Sequence, residues 1–132
     1  MRSERYDVGR EIARGGMATV FEGRHLVTGR RVALKAVART RDTTIGARLV
    51  REAKILGELR HPSIVQVLDF EENDEEQVLV TELLEGRPLD GLITTRGRLD
   101  IPASSAILTQ LAAALSHAHD RGIVHRDVKP AN

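Results

Sequence analysis

The sequence predicts an α+β fold in which a strand-rich first part is followed by a helical second part. Before residue 86, short β-prone runs alternate with turns that contain glycine. After Glu85-Gly86, apolar residues recur at helical spacing instead. The length of 132 residues, of which 41% are hydrophobic, suits one modest core rather than two full-sized ones.

The first part predicts a five-stranded antiparallel sheet with one helix. The five expected strands are 6–13, 19–24, 31–37, 64–70 and 77–81, of which the first three form a meander. Ile45, Leu49, Ala53 and Leu56 recur at helical spacing, which predicts a helix over 43–59 that ends before Pro62. The acidic segment 71–76 is interpreted as a solvated hairpin loop.

The second part predicts a short helix over 89–95 and a longer one over 102–120. Pro102 suits the first turn of the longer helix, and Gly122 follows its end. This helix carries a wide apolar face, which includes Leu111 and Leu115. Too few apolar residues follow to cover that face, so we expect the chain to be a truncated part of a larger fold.

Composition excludes several classes of function. Twenty Lys and Arg against 19 Asp and Glu give a net charge of +1, so no bulk field favours nucleic acid or an anionic membrane. The three aromatic residues are too few for base stacking. No apolar run is long enough to span a membrane, and there is no cysteine, so we expect a cytoplasmic location.

The most specific motif is the final octapeptide, His-Arg-Asp-Val-Lys-Pro-Ala-Asn, at 125–132. It resembles the catalytic loop of protein kinases, H-R-D-x-x-x-x-N, and its lysine two residues after the aspartate is similar to the serine/threonine-specific version. The resemblance implies that Asp127 accepts the proton of the substrate hydroxyl. It also implies that Lys129 neutralises charge on the transferred phosphoryl group and that Asn132 binds Mg²⁺.

Upstream landmarks of the same family occur in the expected order. Val-Ala-Leu-Lys at 32–35 resembles the V-A-I-K of the third kinase strand, which implies that Lys35 faces the α- and β-phosphates of ATP. Glu52 lies on the predicted helix where kinases place the glutamate that pairs with this lysine. Because Glu52 falls on the apolar stripe, we expect a buried carboxylate that needs a partner.

The phosphate-binding loop departs from the family pattern. G-x-G-x-x-G-x-V aligns with residues 13–20, where Gly15 is the central glycine, Gly16 is an extra one, and Ala13 and Ala18 replace the other two. Alanine does not adopt positive φ cheaply, so a need for that conformation at either position would lower nucleotide affinity. The segment Arg-Gly-Gly-Met-Ala-Thr-Val at 14–20 is similar in sequence to the corresponding segment of bacterial serine/threonine kinases.

The resemblance also implies an adenine site. Ile12, Val20 and Ala33 would form the apolar roof over the ring. Residues 78–86 resemble the last strand of the sheet and the hinge, with Thr81 as gatekeeper. The backbone of Glu82 and Leu84 would hydrogen-bond adenine.

Together these motifs identify residues 6–132 as the amino-terminal half of a kinase domain, with a two-lobe fold. The expected divisions are 6–81 for the N-lobe, 82–86 for the hinge and 87–132 for the start of the C-lobe. The implied activity is that of a non-specific serine/threonine protein kinase, with ATP and Mg²⁺ as cofactors and proteins bearing Ser or Thr as substrates. Since no Asp-Phe-Gly occurs, we expect these residues alone to be inactive.

Two other functions stay open. The first is a non-catalytic nucleotide-binding or scaffolding module, similar to a pseudokinase, which the two alanines in the phosphate loop would suit. The second is a regulatory fragment that binds a partner kinase through the exposed face of the long helix.

Overall fold

The protein contains five strands and three helices within residues 3–15, 18–39 and 43–131, which the computed structural model describes. The strands are β1 (Tyr6–Arg14), β2 (Thr19–His25), β3 (Arg31–Ala38), β4 (Val67–Glu72) and β5 (Glu76–Glu82). The helices are α1 (Thr43–Glu58), α2 (Leu89–Arg96) and α3 (Ile101–His119). The α+β class and the order of the predicted elements are therefore confirmed.

The described residues divide into two compact units. The first unit comprises the described residues within 1–60 and 65–84, and the second comprises those within 61–64 and 85–132. The whole sheet and α1 belong to the first unit, whereas α2 and α3 belong to the second.

The sheet has the strand order β1-β2-β3-β5-β4, and every neighbouring pair is antiparallel. The predicted five-stranded antiparallel sheet and its opening meander are confirmed. Because side chains alternate between the two faces of a strand, β3 directs Leu34 to one face and Lys35 to the other. Val20 of β2 and Leu79 of β5 lie opposite Lys35 in register, so these three residues occupy one row on one face.

One face of the sheet carries an apolar core whose buried residues all come from the strands. Leu34 and Val80 are fully buried there, and the cluster also contains Val32, Val78, Ala36 and Tyr6. Gly23 of β2 lies over Leu34, and a Cβ at this position would come within 2.5 Å of Leu34 Cδ1. The glycine therefore lets Leu34 fill the space beneath β2.

Helix α1 covers the other face of the sheet. Leu49 is buried against Val37 of β3 and Leu79 of β5, and Ile45 and Ala53 pack at the margin of this cluster. These helical residues belong to the apolar stripe read from the sequence, which confirms the predicted amphipathic helix. The core on this face fixes α1 against the middle of the sheet.

Side chains join the two outer strands of the sheet, β1 and β4. The hydroxyl of Tyr6 donates a hydrogen bond to Asp69 Oδ2 at 3.2 Å, and Arg5 Nη1 lies 2.6 Å from the same oxygen. Arg5 Nε also donates to Glu71 Oε1 at 2.8 Å. Burial and the adjacent Asp69 carboxylate raise the pKa of Tyr6. These contacts, which we call the edge clasp, hold the margins of the sheet together.

Two details of the β4–β5 region differ from expectation. The acidic segment is not a loop throughout, because Glu72 pairs in register with Gln77 and leaves only 73–75 as the turn. Asn73 stabilises this turn, since its Oδ1 accepts hydrogen bonds from the backbone of Glu75 and Glu76. Strand β4 begins at Val67 rather than at residue 64, because the N–H of residue 64 donates to the carbonyl of residue 61 in the preceding turn.

Helix α3 begins and ends at specific caps. Asp100 Oδ1 accepts a hydrogen bond from the N–H of Ala103 at 2.8 Å, and Pro102 occupies the first turn. Beyond the helix, Gly122 has a φ of 73°, which favours glycine. Ile101 and Leu108 are exposed in the described chain, as expected for an uncovered apolar face. None of the described helices is both long and apolar enough to cross a membrane.

Candidate functional site

Lys35 and Glu52 form an ion pair in the first unit, in which the ammonium contacts both carboxylate oxygens. Lys35 Nζ donates to Glu52 Oε1 at 2.7 Å and to Glu52 Oε2 at 2.6 Å. Strand β3 supplies the lysine from the middle of the sheet, and α1 supplies the glutamate from the apolar stripe that packs on this face. The pairing that the sequence predicted is therefore present in the structure.

The ion pair is less buried than expected. The side chain of Lys35 is 34% exposed and that of Glu52 is 40% exposed, so the prediction of a buried carboxylate was wrong. Leu49, three residues earlier on α1, occupies the buried part of the stripe. Partial exposure lowers the desolvation cost of both charges and leaves the ammonium accessible to an anionic ligand.

The turn between β1 and β2 is closed by its backbone. The N–H of Gly15 donates to the carbonyl of Ala18 at 2.9 Å, and Gly15 itself is exposed. Among the described residues, Arg126 alone combines a side chain with positive φ, so Ala13 and Ala18 do not adopt that conformation. The two alanines are therefore compatible with the backbone of this turn. Gly16 lies outside the described residues.

The three residues predicted to cover the adenine ring come from the neighbouring strands β1, β2 and β3. Val20 lies opposite Lys35, and Ala33 lies two residues before Lys35 on the same face of β3. Ile12 lies in an irregular stretch of the β1–β2 pairing and is 39% exposed. Val20 and Ala33 thus form a small apolar surface beside the lysine, and Ile12 lies at its outer margin on β1.

A charged cluster is centred on Glu22 of β2, which lies opposite Ala33 of β3. Glu22 accepts hydrogen bonds from Arg31 Nε at 3.0 Å and from Arg10 Nε at 3.3 Å. These two bonds lower the pKa of Glu22. The carboxylate is therefore balanced by two guanidinium groups at this margin of the sheet.

The end of β5 holds the residues predicted to contact adenine. Thr81 lies opposite Ala33, and its hydroxyl donates to the carbonyl of Glu82 at 3.2 Å. The N–H of Glu82 donates to the carbonyl of Gln66 at 3.0 Å, and Glu82 Oε1 accepts from the N–H of Gln66 at 2.8 Å. Leu84 is 66% exposed. The segment thus has a fixed start at Glu82 and an exposed residue two positions later.

The second unit contains the described part of the catalytic-loop motif. Lys129 Nζ donates to Asp127 Oδ2 at 2.8 Å, and both side chains are more than half exposed. The backbone N–H of Asp127 donates to His125 Nδ1 at 3.3 Å, which gives His125 a structural role. The carbonyl of Pro130 accepts from the N–H of Asp90 on α2 at 2.9 Å, so the helix holds this segment in place.

Arg126 has a φ of 63°, in the left-handed region that side chains rarely adopt. Strained backbone of this kind costs free energy and clusters at functional sites. The strain lies between His125 and Asp127, within the motif itself.

The described residues do not form a metal site by themselves. Across 3–15, 18–39 and 43–131, no three His, Asp or Glu side chains are grouped closely enough to hold a metal ion. Asn132, the residue proposed for Mg²⁺, lies outside these ranges. Mg²⁺ commonly binds through one or two protein side chains together with substrate phosphates, so a full protein cage is not required.

The contact between His61 and His117 was not predicted from the sequence. The rings of His61 and His117 lie 5.3 Å apart, and His117 Nε2 is buried without a hydrogen-bond partner among the described residues. Burial and the nearby Arg121 lower the pKa of His117. No pattern in the sequence links two histidines so far apart, and only the turn that contains His61 brings them together.

Comparison with known proteins agrees with this geometry. Residues 6–132 match the family model described as "Protein kinase domain". The chain is 40% identical over 129 residues to the serine/threonine-protein kinase PknH of Mycobacterium bovis, covering 96% of the chain and 22% of that protein. It is 38% identical over 132 residues to PrkC of Bacillus subtilis, covering 98% of the chain and 20% of that protein.

A third relative extends the likeness to another bacterial lineage. The chain is 37% identical over 130 residues to the serine/threonine-protein kinase pkn2 of Myxococcus xanthus, covering 97% of the chain and 16% of that protein. The chain thus spans about a fifth of the length of the curated relatives that it matches. Since the family model matches nearly every residue, and the sheet, the Lys35–Glu52 pair and the His-Arg-Asp loop follow in the family's order, the chain belongs to the protein kinase family.

Proposed function

We propose that this chain is part of a serine/threonine protein kinase that transfers the γ-phosphoryl group of ATP to Ser or Thr hydroxyls of proteins. The observation that carries the proposal is the pair of hydrogen bonds from Lys35 to Glu52, at 2.7 and 2.6 Å. An ammonium held in this way is a fixed positive charge for the phosphates. The names of the relatives support the choice of Ser and Thr as acceptors.

Residues of the first unit would bind the nucleotide. Lys35 would hold the α- and β-phosphates, and Glu52 would keep its ammonium in position. The remaining contacts would come from the turn at Gly15 and Gly16, the roof of Ile12, Val20 and Ala33, and the backbone of Glu82 and Leu84. The exposure of the ion pair supports this proposal, because a phosphate can reach the ammonium without unfolding the sheet.

Residues of the second unit would act on the substrate hydroxyl. Asp127 would accept its proton, and Lys129 would neutralise charge on the phosphoryl group. In the structure Lys129 instead pairs with Asp127 at 2.8 Å. Both groups are exposed, so the lysine can leave the carboxylate for a phosphate at little cost in free energy. Asn132 would hold Mg²⁺, which neutralises phosphate charge when it is bound with ATP.

The domain boundaries are part of the same proposal. We assign 6–81 to the N-lobe, 82–86 to the hinge and 87–132 to the start of the C-lobe. Because the proposed kinase consumes ATP, we place these residues on the cytoplasmic side. The 132 residues contain no Asp-Phe-Gly sequence, whose aspartate holds Mg²⁺ in kinases, so we expect no phosphoryl transfer from this polypeptide alone.

Nucleotide binding tests the proposal on the chain itself. We expect a non-hydrolysable ATP analogue with Mg²⁺ to raise the melting temperature of the chain. Lys35→Met should abolish the shift, because it removes the proposed phosphate contact. Lys54→Met serves as the control and should keep the shift, since Lys54 is exposed on α1. Equal shifts for all three proteins would contradict the proposed site.

Phosphoryl transfer distinguishes the kinase from the non-catalytic alternative. The test uses a protein that carries these residues together with an Asp-Phe-Gly segment, and measures radiolabelled phosphate in an acceptor protein. We expect transfer to phosphoserine or phosphothreonine, and loss of transfer for Asp127→Asn. Nucleotide binding without any transfer would favour the scaffolding function.

A further inference from the structure

Gln77 is a polar residue in the core at the start of β5. It is only 8% exposed, and its carboxamide lies beneath the first turns of α1. A Cβ atom at Gly46 of α1 would come within 2.6 Å of Gln77 Oε1 and within 3.3 Å of its Cδ. Real Cβ atoms do not approach an oxygen this closely, so a side chain at residue 46 would require either the Gln77 carboxamide or α1 to move.

The orientation of this carboxamide is fixed from the opposite side. Gln77 Nε2 donates to Glu72 Oε1 at 3.2 Å, and Arg39 Nη1 donates to the same oxygen at 2.7 Å. A flipped amide would direct its oxygen at the Glu72 carboxylate, which is electrostatically unfavourable. Gln77 Oε1 therefore faces the helix, where it has no hydrogen-bond partner among the described residues.

The same helix carries the glutamate of the ion pair. Glu52 follows Gly46 by six residues, which corresponds to about 9 Å along the helix axis. Leu49 lies between the two positions and packs on Val37 and Leu79. A displacement of the first turns of α1 would tilt the helix about this apolar contact, and such a tilt would change the distance from Glu52 to Lys35.

We infer that Gly46 and Gln77 are positioning residues for the Lys35–Glu52 pair. Their contact sets how closely α1 approaches β5, and that approach lets the Glu52 carboxylate reach Lys35. This inference deepens the proposed function, because the pair that it positions is the one proposed to hold the phosphates. Neither residue is assigned a contact with nucleotide or substrate.

The test measures the ion pair directly and does not depend on activity. The chain has three lysines, Lys35, Lys54 and Lys129, so labelling by an amine-acylating reagent can be followed for each by peptide mass spectrometry. Acylation of Lys35 requires that its hydrogen bonds to Glu52 break, whereas Lys54 is exposed and serves as the internal standard. We expect Gly46→Ala to raise the labelling rate of Lys35 several-fold relative to Lys54.

The matched control is Gly57→Ala. Gly57 lies on the same helix, and nothing lies within 4 Å of a Cβ placed there. Both substitutions introduce a better helix former than glycine, so helix propensity changes in the same direction in each variant. We expect Gly57→Ala to leave the labelling of Lys35 unchanged. Faster labelling in both variants would overturn the inference.

A second variant separates positioning from general loss of structure. Gln77→Ala combined with Gly46→Ala removes the carboxamide that the new methyl group would meet, so labelling of Lys35 should return toward the wild-type rate. If Gly46→Ala does not fold, a folded double variant with slow labelling supports the steric contact. A double variant that is labelled as fast as Gly46→Ala, or wild-type labelling in a folded Gly46→Ala, overturns the inference.

The result is independent of nucleotide binding. Protection of Lys35 is measured without ATP, so the positioning contact can be confirmed even if the chain binds no nucleotide. Conversely, an ATP-dependent thermal shift that Lys35→Met abolishes would support the proposed function even if Gly46→Ala had no effect on labelling. Failure of the positioning inference can therefore be distinguished from failure of the proposed nucleotide binding.

Discussion

Lys35 on β3 donates hydrogen bonds to both carboxylate oxygens of Glu52 on α1, while each side chain keeps about a third or more of its surface in solvent. A half-exposed pair of this kind contributes little to folding, because water already solvates both charges. Its importance therefore lies in the position of the ammonium and not in the stability of the fold. This distinction leads to the first prediction.

We expect Glu52→Gln to change the free energy of unfolding by less than about 1 kcal/mol, as for other exposed ion pairs. Urea denaturation of the wild type and the variant gives this difference. At the same time, Lys35 should be acylated faster, because a neutral amide holds an ammonium less firmly than a carboxylate. A loss of several kcal/mol would show that the pair behaves as a buried one.

The core on the helix-free face of the sheet should dominate stability. Leu34 is fully buried, so we expect Leu34→Ala to lower the free energy of unfolding by about 2–5 kcal/mol through lost transfer energy and a cavity. Val27, which is 89% exposed in the β2–β3 turn, provides the control. Val27→Ala should change the value by no more than about 0.5 kcal/mol in the same urea titration. Similar effects of the two substitutions would contradict the assignment of this core.

The amino terminus of α3 depends on one side chain. Asp100→Ala should destabilise the helix by about 1 kcal/mol, because the N–H of Ala103 loses its acceptor. Amide hydrogen exchange measures this directly, and we expect faster exchange at Ala103. Asp100→Asn keeps a side-chain oxygen and should preserve most of the protection. Unchanged exchange at Ala103 in the alanine variant would rule out the cap.

Stability should depend on pH through His117. Its pKa is lowered from 6.5 by burial, by Arg121 and by His61, while Asp120 opposes the shift. The unfolded chain therefore binds the proton more readily than the folded chain, so the free energy of unfolding falls as the pH drops below about 6.5. The ring of His61 and the guanidinium of Arg121, 3.3 Å from His117 Nδ1, are the groups that face this imidazole.

Thermal melts at about pH 7.5 and about pH 5.5 test this dependence. His117→Phe keeps a ring of similar shape and cannot take up a proton, so part of the loss in melting temperature at the lower pH should disappear. His119→Phe is the matched control, since His119 is exposed on the same helix. The prediction fails if both variants retain the full wild-type dependence on pH.

The sequence predicted those features that depend on local patterns or on a family motif. Helical spacing of apolar residues located α1, and the Val-Ala-Leu-Lys run located Lys35 on β3. The partner of Lys35 was also predicted, because the family motif fixes Glu52 on the helix. The degree of burial of Glu52 was not predicted. Helical periodicity identifies a face of the helix but does not indicate how deeply one position on that face is covered.

Contacts between polar residues far apart in the chain escaped prediction. Gln77 follows an acidic run and has no hydrophobic signal, yet it lies in the core because Gly46 leaves room for its carboxamide. His61 meets His117 only through the turn that precedes β4. Such contacts depend on the three-dimensional approach of two elements, which periodicity and propensity do not encode.

The edge clasp has a consequence for how the chain reaches its native state. Tyr6 of β1 and Asp69 of β4 are 63 residues apart in the sequence, so their contact is a long-range one between the two outer strands. Closing a loop of this length costs conformational entropy, and non-local contacts of this kind slow folding. In the described sheet β1 and β4 each pair with one neighbour, so their outer edges present backbone groups to other molecules. Refolding at high concentration should therefore lose material to intermolecular strand pairing, and Tyr6→Phe, which removes the hydroxyl, should increase that loss.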